Sequence, residues 1–312
     1  MAEHNLPATP ETVHWGYFEA SRAPVLSVRS GDRVTIDTLS AEPEDMPPAD
    51  AGFDILPEHP QVHSDCERGP GPHFMTGPVH VEGARPGHVL EVRILECSVR
   101  QNWGWNVIEP LLGTLPEDFP RRRLMHIAID VEAGTYRLPW GKNLPLRPFF
   151  GVLGVAPPAN YGRISSIQPR EHGGNMDNKE LVEGSTLYLP VWNDGALFSA
   201  GDGHGAQGDG EVCLTALETC MRGTFELVLR QDMSLARPRA ETPTHYISMG
   251  LDPDLDDAAK QALRDMIDLL EAAHGFGRED AYTLCSLAAD MRITQLVDGN
   301  KGVHAMLPKA AL

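Results

Sequence analysis

Short apolar runs alternate with turn signals from residue 24 to about residue 230, and this alternation constrains the fold more than any other feature of the sequence. The chain has 30 glycines and 26 prolines among its 312 residues, so turns are frequent and long helices have little room. Runs of this length and spacing are typical of a β-sandwich or barrel, whereas strands alternating with helical patterns would indicate βαβ units. The sequence therefore predicts a mainly β protein.

Several stretches show the strand pattern in detail. Residues 24–41, "PVLSVRSGDRVTIDTLSA", place Val28 and Val34 in period-two patterns on either side of Ser30–Asp32, which predicts a hairpin. Residues 76–96, "TGPVHVEGARPGHVLEVRILE", repeat this form around a Pro-Gly turn. The runs "GSTLYLPVW" and "GTFELVLR" predict two further strands, and "DGEVCLTALET" also alternates like a strand.

The last quarter of the chain changes character. "DPDLDDAAKQALRDMIDLLEAAHG" predicts a helix with Asp252 as its N-cap, a proline at its first position and Gly275 as its stop. "REDAYTLCSLAADMRI" predicts a second helix with Met291 on its apolar stripe, and "THYISMGL" and "GVHAML" predict strands. We therefore divide the chain into a β-rich core at residues 1–235 and a smaller α+β section at residues 236–312, integral to one unit.

Residues 41–75 form a long segment without periodicity that is rich in proline, acids and histidine. A loop of this length inside a compact domain is usually either functional or disordered. Its histidines, His59, His63 and His73, lie near an acid and a cysteine. Histidines in a loop are more often ordinary surface residues than ligands, so the sequence gives them no role.

The charge and the cysteine content exclude several classes of protein. The net charge is −18 and no basic block is present, so nucleic acid and anionic membranes are poor partners, and a neutral or cationic small molecule fits better. No run approaches the ~18–20 apolar residues that a membrane span needs. Five cysteines without a CxxC pair, and a start without signal-peptide character, predict a cytoplasmic protein with reduced thiols.

A glycine-rich stretch at residues 195–212, "GALFSAGDGHGAQGDGEV", concentrates metal-type ligands in one region. It contains a literal GxGxxG, but acids and a strand-like run follow where a dinucleotide site needs a helix, so a Rossmann site is excluded. An EF-hand counted from Asp202 fails as well, because Gln207 stands where glycine is required. Two interpretations stay open, a solvated hairpin and a metal or catalytic site, whose ligands would come from Asp202, His204, Gln207, Asp209 and Glu211.

A second stretch at residues 171–190, "EHGGNMDNKELVEGSTLYLP", sets Asn175 and Asp177 after a Gly-Gly pair. An Asn-x-Asp sequence in this position is compatible with an Asx-turn as well as with a ligand site. Because this stretch and the glycine-rich one each adjoin a predicted strand, they could meet at one end of a sandwich. Cys213 is better explained as a buried, inert thiol than as a nucleophile, because no suitable base lies near it in sequence.

Several motifs together resemble the acetamidase/formamidase family. They are "TGPVHVEGARPGHVLEV", "GVLGVAP", "GGNMDNKELVEGSTLYLPV" and "GALFSAGDGHGAQGDGEV", with "SLAADMRITQLVD" and "AMLPK" near the end. The resemblance runs from about residue 12 to residue 309. It implies hydrolysis of a small carboxamide such as formamide or acetamide to ammonia and the acid. It also implies a mainly β fold with an intertwined sandwich and barrel core, a smaller C-terminal α+β section, and a divalent metal in the site.

The matched motif residues give expectations for the site. We expect a divalent cation, zinc with calcium as the alternative, held by Asp202, His204 and Asp177. The water that this metal activates would lose a proton to Glu211 as general base. Asn175 or Gln207 would stabilise the oxyanion, and Asp209 belongs to the same matched motif.

The expected partner is a small neutral amide, and the family resemblance implies a homo-oligomer, a dimer or larger. Two other functions are compatible with the same residues. The first is a metal-independent amidase that uses a cysteine or serine nucleophile. The second is a non-catalytic β-sandwich protein that binds a small molecule or a structural metal. The density of acids and amides beside glycine turns argues against the second function. Such a cluster costs fold stability and adds no obvious packing contacts.

Overall fold

The computed structural model describes all 312 residues, and most of its regular structure is strand. The strands form sheets of nine, six, four and two members. The mainly β fold with a small helical part that the sequence predicts is confirmed. None of the sheets closes on itself, so the core contains no closed barrel and is a sandwich of open sheets.

Twenty-one strands and three α-helices follow one another along the chain. The strands of the first half are β1 (Glu3–Leu6), β2 (Val13–Trp15), β3 (Tyr17–Phe18), β4 (Leu26–Val28), β5 (Asp32–Asp37), β6 (Phe74–Val81), β7 (Val89–Val99), β8 (Trp103–Ile108), β9 (Arg123–Asp130), β10 (Thr135–Arg137), β11 (Asn143–Pro145) and β12 (Phe149–Gly154). The later strands are β13 (Ile164–Ser165), β14 (Gly173–Asn175), β15 (Thr186–Pro190), β16 (Phe198–His204), β17 (Met221–Arg230), β18 (Arg239–Glu241), β19 (His245–Asp252), β20 (Asp290–Gln295) and β21 (Lys301–Pro308). The helices are α1 (Glu58–Asp65), α2 (Leu255–His274) and α3 (Arg278–Ala288).

The nine-stranded and six-stranded sheets pack face to face around the main core. The first has the order β1-β5-β17-β7-β15-β18-β19-β21-β20, and the second has the order β14-β12-β16-β6-β2 with β4 also paired to β6. Phe225 of the first sheet packs edge-on against Phe150 and Phe198 of the second, with ring centroids 5.4 and 5.6 Å apart. Inward-facing apolar side chains from both sheets therefore form one shared core.

The chain crosses between these two sheets where the sequence predicts hairpins. β4 pairs in parallel with β6, with Leu26 opposite Val79, whereas β5 lies between β1 and β17 in the other sheet. β6 and β7 also belong to different sheets. The hairpins predicted at residues 24–41 and 76–96 are therefore wrong, although each of their strands forms. Period-two alternation specifies which face of a strand is buried, but it does not specify the partner strand.

The C-terminal strands continue the nine-stranded sheet. β18 pairs with β15, and β19, β21 and β20 follow in that order. The two long helices cover these strands, and Ala262 and Met266 of α2 join a core with Val303 and Ala305 of β21. One sheet therefore runs across the boundary proposed at residue 235, and the division into two sections stays a prediction.

The helix ends agree with the sequence at one position and differ at two. The carboxylate of Asp254 caps α2, and the predicted cap, Asp252, is the last residue of β19. α2 ends at His274, and Gly275 is its C-cap as predicted, with a φ of 71° that is the left-handed conformation glycine adopts readily. α3 ends at Ala288, so Met291 lies in β20 instead of the helix. No helix is both long and apolar enough to cross a membrane.

Residues 41–75 pack around α1 against the edge of the six-stranded sheet. His59 is buried, and its Nε2 lies 2.9 Å from the carbonyl oxygen of Ser40. His63 makes the equivalent contact to the carbonyl of Ala41 at 3.0 Å. The prediction of ordinary surface histidines is therefore wrong for His59, because α1 turns this ring inward to hold the neighbouring loop.

Candidate functional site

A cavity of about 440 Å³ opens where several segments of the chain meet. Its walls come from residues 39–45 and 68–74, from β8, and from the turns at 211–218 and 297–298. The long segment that lacks periodicity in the sequence therefore forms one wall of this cavity. The acidic end of the cavity lies over β14 and β16.

Strand geometry and one glycine create this acidic end. Asp202 and His204 are separated by one residue on β16, so their side chains project from the same face of the sheet. Asp177 follows β14, and its backbone N–H donates to the carbonyl of Gly151 on β12 at 3.2 Å. A Cβ at Gly151 would lie 2.3 Å from Asp202 Oδ2 and 2.4 Å from Asp177 Oδ1. Glycine is required there because the carboxylates occupy the space that a side chain would fill.

His204 is the centre of a buried group of acids. Its Nε2 lies 3.0 Å from Asp202 Oδ2, 3.8 Å from Asp177 Oδ1 and 3.2 Å from Glu218 Oε2. Glu211 joins the group, with ligand atoms of Asp177, His204 and Glu211 all within 4.8 Å of one another. All five side chains are buried. The two glycine-bearing stretches do meet, as the sequence predicts, and the solvated-hairpin interpretation is wrong.

Gln207 and Asp209 lie behind and beside these acids. The side-chain oxygen of Gln207 accepts a hydrogen bond from His204 Nδ1 at 2.9 Å, and its amide nitrogen donates to the backbone carbonyl of Asp177 at 2.8 Å. This contact leaves His204 Nε2 directed at the carboxylates. Asp209 instead forms a partly exposed ion pair with Lys179 at 2.9 Å and lies outside the cavity lining.

Sequence patterns do not single out Glu218 or Asp298, which line the cavity, and they give no role to His73, which lines it as well. The run "DGEVCLTALET", predicted to be a strand, is irregular, and the backbone N–H of Trp105 donates to the carbonyl of Glu218 at 2.9 Å. His73 is held by a 2.8 Å contact between its Nδ1 and Ser166 Oγ. No periodic pattern marks such positions, and the one available signal was an isolated acid in the apolar run "CLTALETCM".

Burial strongly shifts the pKa values in this group. It raises the pKa of Glu218 to about 8, and burial with repulsion from Asp177 raises the pKa of Glu211 well above 4.5. Burial disfavours the charged forms of Asp202 and His204 too, but attraction between the imidazolium and its carboxylates is stronger. The pKa of Asp202 is therefore lowered and that of His204 is raised well above 6.5. Without a cation, the surroundings therefore favour the protonated forms of Glu211 and Glu218.

Three of the four acids that the sequence identified have an uncommon backbone conformation. The φ angles of Asp177, Asp202 and Glu211 are 49°, 55° and 45°. Positive φ outside glycine costs about 1–3 kcal/mol in a sparsely populated region, and such residues cluster at functional sites. Glu211 is the most informative of the three, because aspartate tolerates this conformation better than glutamate.

Several buried oxygen atoms in the group have no hydrogen-bond partner. They are both carboxylate oxygens of Asp177 and one side-chain oxygen each of Asn175, Glu211 and Asp298. A buried carboxylate oxygen without a partner costs free energy, and a cation removes that cost by coordination. Imidazole and carboxylate groups that converge from β16, from the end of β14 and from the irregular segment at 211–218 form a donor set typical of divalent metals in proteins. The residues present therefore fit a divalent cation.

Comparison with known proteins identifies the relatives of this chain. The Acetamidase/Formamidase family matches residues 11–163 and 159–311, which together span nearly the whole sequence. A formamidase from Methylophilus methylotrophus is 31% identical over 192 residues, a match that covers 45% of this chain and 47% of that protein. The match thus spans only about half the length of that relative.

Solved structures extend the similarity over the whole fold. An acetamidase from Yersinia enterocolitica is 31% identical with a TM-score of 0.86, and the match covers 99% of this chain and 92% of that one. A predicted acetamidase/formamidase from Thermoanaerobacter tengcongensis is 28% identical with a TM-score of 0.87, covering 99% and 97% of the two chains. The chain therefore belongs to the acetamidase/formamidase family.

Proposed function

We propose that the protein hydrolyses a small carboxamide to ammonia and the carboxylic acid, and that a divalent cation held by His204, Asp202 and Asp177 takes part. The observation that carries this proposal is the group of buried acids around His204 Nε2 at the closed end of a substrate-sized cavity. Family membership supports the reaction class. The imidazole ligand favours zinc, because calcium takes oxygen ligands.

A divalent cation at this position would supply Lewis acidity to the amide carbonyl and would lower the pKa of water. The remaining chemistry belongs to side chains of the cavity. Burial and Asp177 raise the pKa of Glu211, so its carboxyl group is suited to take a proton from the attacking water and return it to the departing nitrogen. Asn175 donates one amide hydrogen to the carbonyl of Ile167, and its second is available to the oxyanion.

Gln207 acts in this scheme as a positioning residue. Both of its polar atoms are engaged, one with the imidazole of His204 and the other with the backbone carbonyl of Asp177. We therefore assign the oxyanion contact to Asn175 alone. Glu218, at 3.2 Å from His204 Nε2, is a further candidate ligand for the cation.

The alternative with a protein nucleophile receives little support. None of the five cysteines lines the cavity, and burial raises the pKa of the Cys97 and Cys220 thiols to about 12. Cys213 is only half-buried, and its thiol is occupied with Asn106. Ser40 does line the cavity, but its hydroxyl accepts a hydrogen bond from the indole of Trp105 and contacts no base.

The test is ammonia release from small amides before and after chelation, together with elemental analysis of the purified protein. We expect release that is lost on chelation and restored by zinc. Glu211→Gln should reduce turnover by about 10²–10⁴-fold. Near-normal turnover in that variant would remove Glu211 from the mechanism.

His204→Ala is the companion variant, and it should lower the metal content as well as the turnover. Unchanged metal stoichiometry in His204→Ala would remove this residue from the ligand set. If ammonia is still released after complete metal removal, the proposed amidase activity stands and the proposed role of the cation is contradicted. Cytoplasmic location and assembly into a homo-oligomer stay predictions.

A further inference from the structure

The cavity is larger than formamide or acetamide requires. Its volume of about 440 Å³ lies within the ~300–1,000 Å³ range of sites for much larger ligands. Burial divides it into two ends: Asp202 and Glu218 are buried at one end, whereas Leu112 is 51% exposed at the other. This inference rests on the hydrolysis proposed above. The scissile amide would lie at the buried end, and the rest of the substrate would extend towards the exposed mouth.

The outer part of the cavity combines an apolar wall with carboxylates. Trp105, Val107 and Leu112 supply apolar surface, which suits a methylene chain. Glu42 and Asp45, both from the segment at residues 41–75, line the same cavity, and they pair with Arg68 and Arg122, whose side chains are 48% and 39% exposed. The side chains of Glu42 and Asp45 are only 12% and 8% exposed, so they are largely removed from water while still bordering the cavity.

Negative charge in this outer part exceeds positive charge. Arg68 is the only lysine or arginine among the lining residues, and it is shared between Glu42 at 2.7 Å and Glu44 at 2.9 Å. Asp45 shares the guanidinium of Arg122 with another acid in the same way. Burial, together with repulsion from Glu44 and Asp45, raises the pKa of Glu42 to about 7 in spite of Arg68. The carboxylates at the mouth are thus only partly neutralised within the protein.

We propose that the preferred substrate is a primary carboxamide whose acyl chain ends in a cationic group, with the amide at the His204 end of the cavity and the cation beside Glu42 and Asp45. The lining acids outside the metal site, Glu42, Asp45 and Glu109, attract such a substrate, and they repel an anionic one. The apolar wall between the two ends contacts the methylene chain. Glu42 is then a specificity-determining residue.

The experiment compares kcat/KM for three amides of equal length with the metal-loaded enzyme. They are ω-aminopentanamide, the neutral hexanamide and the anionic monoamide of adipic acid, with formamide and acetamide as references. We expect the cationic amide to exceed the neutral one by about tenfold and the anionic amide to be the poorest. Raising the ionic strength should reduce the preference, because salt screens charges near the mouth.

Two variants test which residue sets the preference for the cationic amide. Glu42→Gln should reduce the ratio of kcat/KM between the cationic and neutral amides by about threefold or more. Glu44→Gln is the matched control, because Glu44 contacts the same Arg68 but lies outside the cavity lining and is half exposed. The ratio should be preserved in that control.

The outcomes separate this inference from the function on which it rests. If formamide or acetamide releases ammonia but hexanamide is hydrolysed at least as well as the cationic amide, the proposed preference for a cationic substrate is overturned. The proposed amidase activity is then retained. An equal loss of preference in Glu42→Gln and Glu44→Gln would show that Arg68 geometry, and not the Glu42 carboxylate, sets it. No ammonia from any amide would overturn the proposed function and this inference together.

Discussion

Gly151 provides the space into which Asp177, Asp202 and His204 project. An added Cβ would lie 2.3–2.9 Å from atoms of all three side chains, closer than such contacts can be. Gly151→Ala should therefore displace the carboxylates, lower the bound metal and reduce turnover by at least about tenfold. Metal analysis and ammonia release measure both effects.

Gly208→Ala is the matched control for this prediction. Gly208 lies in the same glycine-rich stretch, but a Cβ there would meet nothing within 4 Å. Normal metal content in Gly151→Ala would contradict the assignment of Asp177 and Asp202 as ligands. Loss of metal in Gly208→Ala would show that the stretch depends on flexibility, and not on the space over Gly151.

At the residue scale, the sequence predicts the parts of the site that lie in dense local patterns. Asp202, His204 and Asp177 stand beside glycines and next to strands, and the fold brings them together. Glu218 and Asp298 could not be found in this way, because they come from irregular segments where no period relates sequence position to side-chain direction. Local density could not separate Asp209 from its neighbours either, although its carboxylate points to Lys179.

At the element scale, strands are easier to predict than their partners. The alternating runs that become β5, β6, β7 and β17 are visible because burial of one face imposes period two. Their pairing is not visible, because crossing between two sheets of a sandwich depends on which faces meet across the core. The apparent strand at residues 209–219 is irregular, and its residues Glu211, Leu214, Thr215 and Glu218 line a cavity instead of a sheet.

Helix α2 provides a test of an element boundary. The carboxylate of Asp254 accepts hydrogen bonds from the backbone N–H groups of Asp256 and Asp257 at 2.9 and 3.1 Å. Asp254→Ala removes this cap and should lower the free energy of unfolding by about 1 kcal/mol. Urea denaturation followed by circular dichroism measures the change. Asp254→Asn is the control and should retain most of the stability, because asparagine caps helices about as well.

At the scale of the whole molecule, the site depends on segments from almost the full length of the chain. Residues 39–45 and 297–298 line the same cavity, and the nine-stranded sheet contains both β1 and β20. The sequence predicts the fold class, because turn-forming glycines and prolines are distributed over the whole chain. It does not predict the cavity, because the cavity is formed by non-local pairing and by the irregular segments that pairing brings together.

The acids concentrated at one point also couple the stability of the whole fold to pH and metal. Burial raises the pKa of Glu218 to about 8 in the folded, metal-free protein, whereas its ordinary value is 4.5. Between these values the unfolded chain has released a proton that the folded chain retains. The free energy of unfolding should therefore fall as pH rises from about 4.5 to 8, by up to about 1.4 kcal/mol per pH unit for this proton.

The other shifted groups in the site act in the same direction within this pH range. Glu211 has a raised pKa as well, and His204, whose pKa is well above 6.5, retains a proton that the unfolded chain loses above that pH. Urea denaturation at about pH 5 and pH 8, with and without zinc, measures the dependence. Zinc should remove much of the loss at high pH, because it binds the ionised carboxylates in place of protons. Glu218→Gln should flatten the metal-free profile, and an unchanged slope in that variant would show that the proton resides on another group.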